Sequence, residues 1–464
     1  MTTTVAACPE ERPTAGRARR WGFAVTALAG PIAIAAAAYA FEGPLGSWAL
    51  WLVLGLGAVW MLLGHRLARD ELGRRAALLV IATALLARAL LVPLPFITST
   101  DAYRYLWDGR VQAADTNPYR YPPGALEVAH LRDDAVYPLI NRKGSVTIYP
   151  PVAQGTFLAA HLAGLRTPTG WKALLLMAEA GSMALLLSLA GRRRDLVLYA
   201  WNPVPIIAFG LAGHLDALLV LAVLAAVVAW RRDRLALVGT ALGVAAGLKL
   251  WPLLLLPAFW RRPTGRMTLR GVATVTAPAV GVLAASYLPY VGEVGRGVLG
   301  FLVEGFLEED GYVSGARFQA LQVIGITNPT AALLTATGIA GLVGILILRS
   351  RADAAARATW LFGTAVLLTT PHGWYATPLI ALSVAGTAGL LWAWFPLVLY
   401  AAYLTFFHNV WSPWLGEEFA ARTVRRAGLA VVAVVLMVAA VHRQARSVVL
   451  GATVHDPAGG GPRR

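Results

Sequence analysis

An all-α, polytopic membrane protein is the fold class this sequence predicts, and three observations carry it. The 464 residues are 58% hydrophobic and only 14% charged, with a mean hydropathy of +0.62. A soluble domain carries about 25% charged residues, so this chain lacks the polar surface to cover a water-soluble body of its size. The apolar residues come in blocks long enough to cross a bilayer, which takes roughly 20 residues. Arginines gather in short clusters between the blocks: Arg66–Arg75, Arg192–Arg194, Arg231–Arg234, Arg261–Arg270 and Arg349–Arg357. That is the pattern of cytoplasmic loops under the positive-inside rule. The formal net charge of +16 therefore reflects membrane topology, and its distribution argues against nucleic acid as a partner.

Threading the chain through those clusters gives the elements in order. Residues 1–20 are too long and polar for a cleavable signal peptide and read as a disordered cytoplasmic tail. The sole cysteine, Cys8, lies there, so no intrachain disulfide is possible. Spans 21–40 and 47–64 run out and back, and 75–97 runs outward again. Residues 98–150 form a long external loop rich in Tyr, Asp, Asn and Pro, a functional candidate by its length. Segment 150–165 is short and contains Gln154 and His161; an interfacial helix there keeps Arg192–Arg194 inside. Spans 170–190, 195–211 and 214–230 follow. Segment 235–260 has basic flanks at both ends and is interrupted by Lys249, Trp251 and Pro252. A short re-entrant hairpin from the cytoplasmic side satisfies both flanks. Span 268–290 leads to a second external loop, 291–318. Spans 320–348, 357–371, 374–390, 391–408 and 424–442 complete a transmembrane domain over 21–442. The expectation is about twelve crossings plus the hairpin, with interfacial helices in the external loop. Residues 443–464 read as a second disordered cytoplasmic tail. There is no convincing internal repeat, which weakens a transporter built from inverted halves.

The external loop opens with TSTDAYRYLWDGRVQAADTNPYRYPP. Asp101 follows the apolar run by a few residues, which puts a carboxylate at the water-facing lip of a membrane helix. Asp108 is seven residues on, on the same face if the stretch is helical. Tyr103, Tyr105 and Trp107 alternate with the charges, a mix that suits either an interfacial helix or a sugar-binding face. His214 and Asp216 in GHLDA, His372, Trp374 and Tyr375 in PHGWY, and Arg317 in SGARFQ all fall at the same external level. A single His at a boundary is ordinary; several such groups opposite Asp101 suggest one cavity. Within the spans, Arg88 and Glu179 each lie nine residues inside an outer end, about 13 Å deep at the helical rise. Charges at that depth are costly unless paired, so the two are expected to form a structural ion pair. Lys249, one of three lysines, sits at the hairpin tip, where it either meets a lipid phosphate or snorkels to the boundary. Gly55 and Gly57 lie in a span with no preceding strand and form no nucleotide loop. No Cys/His/Asp cluster has metal-ligand spacing.

With these residues in view, the chain resembles the GT-C superfamily of membrane glycosyltransferases, especially bacterial polyprenyl-phosphate-mannose-dependent mannosyltransferases. The resemblance lies in an ordered set of short motifs over about residues 75–400: Thr100-Asp101-Ala102-Tyr103, then YLWDGR, NPYRYPP and TIYPP, then GHLDA, GLKLWPLLLLP and PHGWY. Two extra spans precede the Asp-bearing loop. The resemblance implies an inverting transfer of a hexose, mannose by association, on the external face of a bacterial cell membrane. The donor is a polyprenyl-phosphate-linked sugar and the acceptor a cell-envelope glycan or glycolipid. Asp101 is then the general base. Arg317, His372 and Lys249 are candidates for the departing phosphate, whose charge grows in the transition state. Tyr103, Arg104, Asp108, His214, Asp216 and Tyr375 shape the substrate pocket. Neither a metal nor another cofactor is expected, since a single phosphate needs no metal to balance a second. The rivals are a lipid-linked sugar transporter or flippase, with its key charges near the midplane, and a structural partner of an envelope complex.

Overall fold

The computed structural model describes residues 13–42, 46, 48–68, 72–369, 371–386 and 391–411. Among these the regular structure is all helical. The principal helices are α1 (Pro13–Tyr39), α2 (Trp48–Leu67), α3 (Arg74–Ala89), α4 (Asp101–Ala113), α5 (Pro151–Leu162) and α6 (Pro168–Leu189). They continue with α7 (Asp216–Arg231), α8 (Leu235–Leu248), α9 (Leu269–Val294), α10 (Pro329–Arg349), α11 (Ala354–Thr369), α12 (Thr377–Gly386) and α13 (Leu391–Trp411). Five are long and apolar enough to cross a bilayer: Gly16–Tyr39, Trp48–Leu67, Pro168–Leu189, Leu269–Leu299 and Pro329–Arg349. These fit a multi-pass membrane protein.

Several expected spans are shorter or broken. Helix α1 starts at Pro13, inside the segment expected to be a disordered tail; proline is well suited to a first helical position. Helix α3 stops at Ala89 and continues as turns, because Pro93 and Pro95 restrict the residues before them. Segment 195–211 is no single span. It is a relay of short pieces, Arg193–Leu196, Val197–Ala200, Pro203–Pro205 and a wide-turned Ile206–Leu211. Asn202 makes the break: its side-chain carbonyl accepts from Val204 N at 3.0 Å, while its amide donates to Leu198 O and Ala393 O. Segment 320–348 is interrupted before α10, where Asn328 caps the new helix by accepting from Ala331 N at 3.0 Å. Helix α11 starts three residues before the expected span, at Ala354, and α12 starts three residues after its own, at Thr377, because Gly373–Ala376 forms a tighter turn. The span expected over 424–442, the tail 443–464 and Cys8 lie outside the described residues.

The bundle has two chemically distinct ends. At one end arginines close the C-termini of helices, whose last carbonyls have no intrahelical partner. Arg19 donates to Leu67 O and Arg66 O at the end of α2. Arg231 donates to Leu189 O of α6 at 2.7 Å and to Ala385 O of α12 at 2.6 Å. Arg261 donates to Leu348 O of α10. Cations there also meet the negative pole of the helix dipole. After Lys249 the chain returns to this same end, where Arg262 Nε lies 3.0 Å from Asp233 Oδ1. Helix α8 packs on α9 through Gly239 and Gly243, where a Cβ would stand 2.1 Å from Val275 O and 2.7 Å from Ala279 O. Small residues at four-residue spacing let two such helices approach closely.

Midway along the bundle, Arg88 Nε lies 2.7 Å from Glu179 Oε2, with both side chains about fully buried. Arg88 also donates to Ala84 O and Ala200 O, and Tyr199 OH donates to Glu179 Oε1. The pair thus ties α3, α6 and the broken relay together. Removing one partner leaves a buried charge uncompensated. Arg88→Ala and Glu179→Ala should each destabilise the detergent-solubilised protein by about 3–5 kcal/mol. The double substitution Arg88→Met, Glu179→Leu should cost less than either, as read by thermal unfolding.

Candidate active site

At the end opposite the arginine caps, α4 begins with Asp101, and its carboxylate is one-quarter exposed. Its Oδ1 accepts from Asn141 Nδ2 at 2.6 Å. Its Oδ2 faces His214 Nδ1 at 3.8 Å, too long for a hydrogen bond. The His214 ring is fully buried, and neither of its nitrogens makes a hydrogen bond. It stacks on Trp374 at 4.2 Å between centroids, and His372 stacks on Trp374 at 4.7 Å. His214, Trp374 and His372 thus form a near-parallel stack whose first ring lies 3.8 Å from Asp101.

His372 Nε2 lies 3.0 Å from Arg317 Nη2 and 3.6 Å from Asp310 Oδ1. Arg317 donates to both the backbone oxygen and the carboxylate of Asp310. This triad borders a cavity of about 340 Å³, whose wall also includes Arg142, Glu309 and Tyr403. Tyr403 stands edge-on to both His372 and Trp374 and donates to Thr98 O at 2.5 Å. Tyr403 thereby joins the cavity to the residues just before Asp101. Burial pushes both imidazoles below the usual histidine range, His214 strongly so, with Lys249 and Arg317 adding to the effect on His214 and His372 respectively. Burial pushes Asp310 up, but its interactions with His372 and Arg317 outweigh it and leave the carboxyl below its usual value.

Some expected residues occupy other places. Lys249 does not stand free toward a lipid phosphate. Its ammonium lies 2.7 and 2.9 Å from the two oxygens of buried Asp216 and 4.1 Å above the Tyr375 ring. Arg104 and Asp108 sit behind the wall rather than on it. Asp108 is 1% exposed; it accepts from Arg104 Nε at 2.8 Å, Thr147 Oγ1 at 2.6 Å and Gln154 Nε2 at 2.9 Å. Those bonds fasten the returning loop and α5 to α4. Beside them Gly300, at φ +56°, passes so close to Thr147 that a Cβ would overlap its carbonyl oxygen. Tyr103 is buried edge-on against Phe96 at 5.0 Å. The sequence reading passed over Asn141, Arg142 and Asp310. Asp310 ends an acidic run in the second loop, which is a signal of sorts, but nothing local marks Asn141. Among the described residues no group of three or more His, Cys, Asp or Glu could hold a metal ion.

Two outcomes follow from this geometry. Asp108→Ala strands the Arg104 charge in a buried position, so it should lower stability by about 3–5 kcal/mol and free the external loop to limited proteolysis. The histidines set a pH dependence. Their folded pKa values lie below the unfolded value of 6.5, so below that pH the unfolded chain binds protons first and stability falls with pH. Thermal unfolding from pH 7.5 to 5 should show a falling midpoint, and His214→Phe should flatten it. The Asp310 contribution is lost only below its unfolded value of 3.8.

Comparison with known proteins adds one finding. Residues 21–262, just over half of the chain, match the family described as "Alpha-(1->6)-mannopyranosyltransferase, N-terminal domain". The matched region includes Asp101, His214, Asp216 and Lys249; Asp310, Arg317 and His372 lie beyond it. No curated protein and no solved structure matches the chain.

Proposed function

We infer the reaction from one premise: the chain belongs to the alpha-(1->6)-mannopyranosyltransferase family, and it is a glycosyltransferase. The reading is an inverting transfer of mannose from a polyprenyl-phosphate sugar to a cell-envelope glycan or glycolipid. It takes place on the external face of a bacterial membrane, with both termini cytoplasmic. The observation that carries it is the placement of Asp101. The carboxylate is partly accessible, at the end opposite the arginine-capped helices, and is linked to the Asp310–Arg317–His372 triad by the stack of His214, Trp374 and His372. Under the positive-inside rule the arginine-capped end is cytoplasmic, which makes the Asp101 end external.

In this mechanism the acceptor hydroxyl attacks the anomeric carbon from the face opposite the phosphate. Asp101 takes the hydroxyl proton as the new glycosidic bond forms. The bond from the anomeric carbon to the phosphate oxygen breaks, its electron pair leaves with the phosphate, and polyprenyl phosphate departs with one more negative charge. Arg317 can stabilise that charge through groups already fixed in place. His372 is neutral near pH 7; its Nε2 accepts from Arg317, which leaves only the Nδ1–H of the ring to donate. Lys249, held by Asp216 against the Tyr375 ring, contributes through its field rather than by direct contact with phosphate.

A positioned general base contributes about 10²–10⁴-fold. Asp101→Asn should therefore lower transfer from labelled polyprenyl-phosphate mannose in vesicles by at least about 100-fold, with expression and unfolding temperature unchanged. Undiminished transfer by that variant rejects Asp101 as the base.

A further inference from the structure

We infer that the dipeptide Asn141–Arg142 couples donor occupancy to the catalytic base: Arg142 exchanges Glu309 for the donor phosphate, while Asn141 holds Asp101 as a positioning residue. This rests on the reaction proposed above and assigns a role to two adjacent residues that it leaves unused.

The two guanidinium groups on the cavity wall are held in different ways. Arg317 is 8% exposed and is fixed by the backbone and carboxylate of Asp310 and by His372. Arg142 is 40% exposed, and Glu309, whose Oε2 accepts from Arg142 Nε at 2.5 Å, is 51% exposed. An ion pair that open to solvent contributes little. A phosphate offers more charge and more acceptor oxygens to a forked donor than one carboxylate does. Arg142 is thus the cation that can change partner without disturbing a buried bond. Its guanidinium also lies over the Phe301 ring at 5.6 Å, which holds it at the cavity mouth.

The backbone around Arg142 supplies the link. Arg142 has φ +46°, a left-handed conformation uncommon for a residue with a long side chain. Such conformations persist where the surroundings hold them. Here Ser145 N donates to Arg142 O at 3.0 Å, Gly124 N donates to Lys143 O at 2.8 Å, and Lys143 Nζ donates to Pro138 O at 2.7 Å. The turn is braced on its far side. A displacement of Arg142 toward a bound phosphate is therefore passed to its other neighbour, Asn141, whose amide bonds Asp101 Oδ1 across 40 positions of sequence.

The test measures transfer and donor dependence with the full-length protein in vesicles, using labelled polyprenyl-phosphate mannose. Arg142→Ala should raise the donor KM by about tenfold, and Arg142→Lys should recover part of the loss, since lysine keeps the charge without the fork. Glu309→Gln removes the competing carboxylate and should lower the donor KM about two- to threefold. That change is opposite in sign to the Arg142→Ala effect and is not expected of a merely structural pair. Asn141→Ala should lower kcat about tenfold or more while leaving the donor KM within about twofold. Unchanged donor KM in both Arg142→Ala and Glu309→Gln overturns the phosphate exchange. Unchanged kcat in Asn141→Ala overturns the positioning role. Both results are separate from failure of the reaction itself, which is read from Asp101→Asn. Glu309→Gln changes an exposed side chain, so the test stands even if the Arg142 variants fold poorly.

Discussion

The Asp108 carboxylate is almost wholly shut off from solvent, and the elements around the candidate site are arranged to keep it satisfied. Arg104 reaches it from one turn earlier on α4, Thr147 from the end of the long loop, and Gln154 from α5. A buried charge that lost these partners would be strongly destabilising, so the three elements are obliged to stay together. Because α4 begins with Asp101, the same constraint sets where Asp101 stands relative to the loop that returns over it. In the proposed reaction the base is thus placed by a carboxylate that takes no part in the transfer.

This arrangement explains which parts of the site could be read in the sequence. Arg88 and Glu179 are legible from depth alone: two opposite charges at equal distance from the same side of the membrane have few other partners, and they meet at 2.7 Å. Asp101, His214, Arg317 and His372 are legible as polar groups at one membrane boundary, though a boundary position says nothing of distance. Asp108 shares the aromatic, charged setting of Asp101 and looks equally functional, but its role depends on Thr147 and Gln154, some 40 residues away. Lys249 is similar, because nothing local reveals that Asp216 will accept two of its three N–H donors. Helix lengths were least legible. Hydropathy continues through Pro93, Pro203 and Gly325, where the backbone cannot.

The arginine clusters serve two physical ends at once. Their sign and position follow the positive-inside pattern, and their side chains close the ends of helices that run toward them. Arg231 alone satisfies carbonyls of two helices, α6 and α12, and also lies 3.1 Å from Asp353. A lysine could carry the charge but could not present several donors in fixed directions. That geometry offers a physical reason for a chain with only three lysines. It also weakens any reading of the +16 net charge as a docking surface, since arginines bonded to helix carbonyls have spent part of their donor capacity within the protein.

The opposite end distributes charge with more restraint. Lys249 is balanced by Asp216, Arg317 by Asp310, and burial holds the His214 imidazole neutral. A cavity walled by uncompensated cations would hold polyprenyl phosphate as firmly after reaction as during it. In the proposed reaction, balanced cations would bind the singly charged donor more loosely and gain most when the leaving phosphate acquires its extra charge, which is the condition for accelerating transfer rather than merely binding. The Trp374 ring between the two imidazoles serves the same end. It stacks as an apolar plate on both His214, beside Asp101, and His372, so in the proposed reaction the proton-accepting and phosphate-facing sides would act on the substrate without neutralising each other.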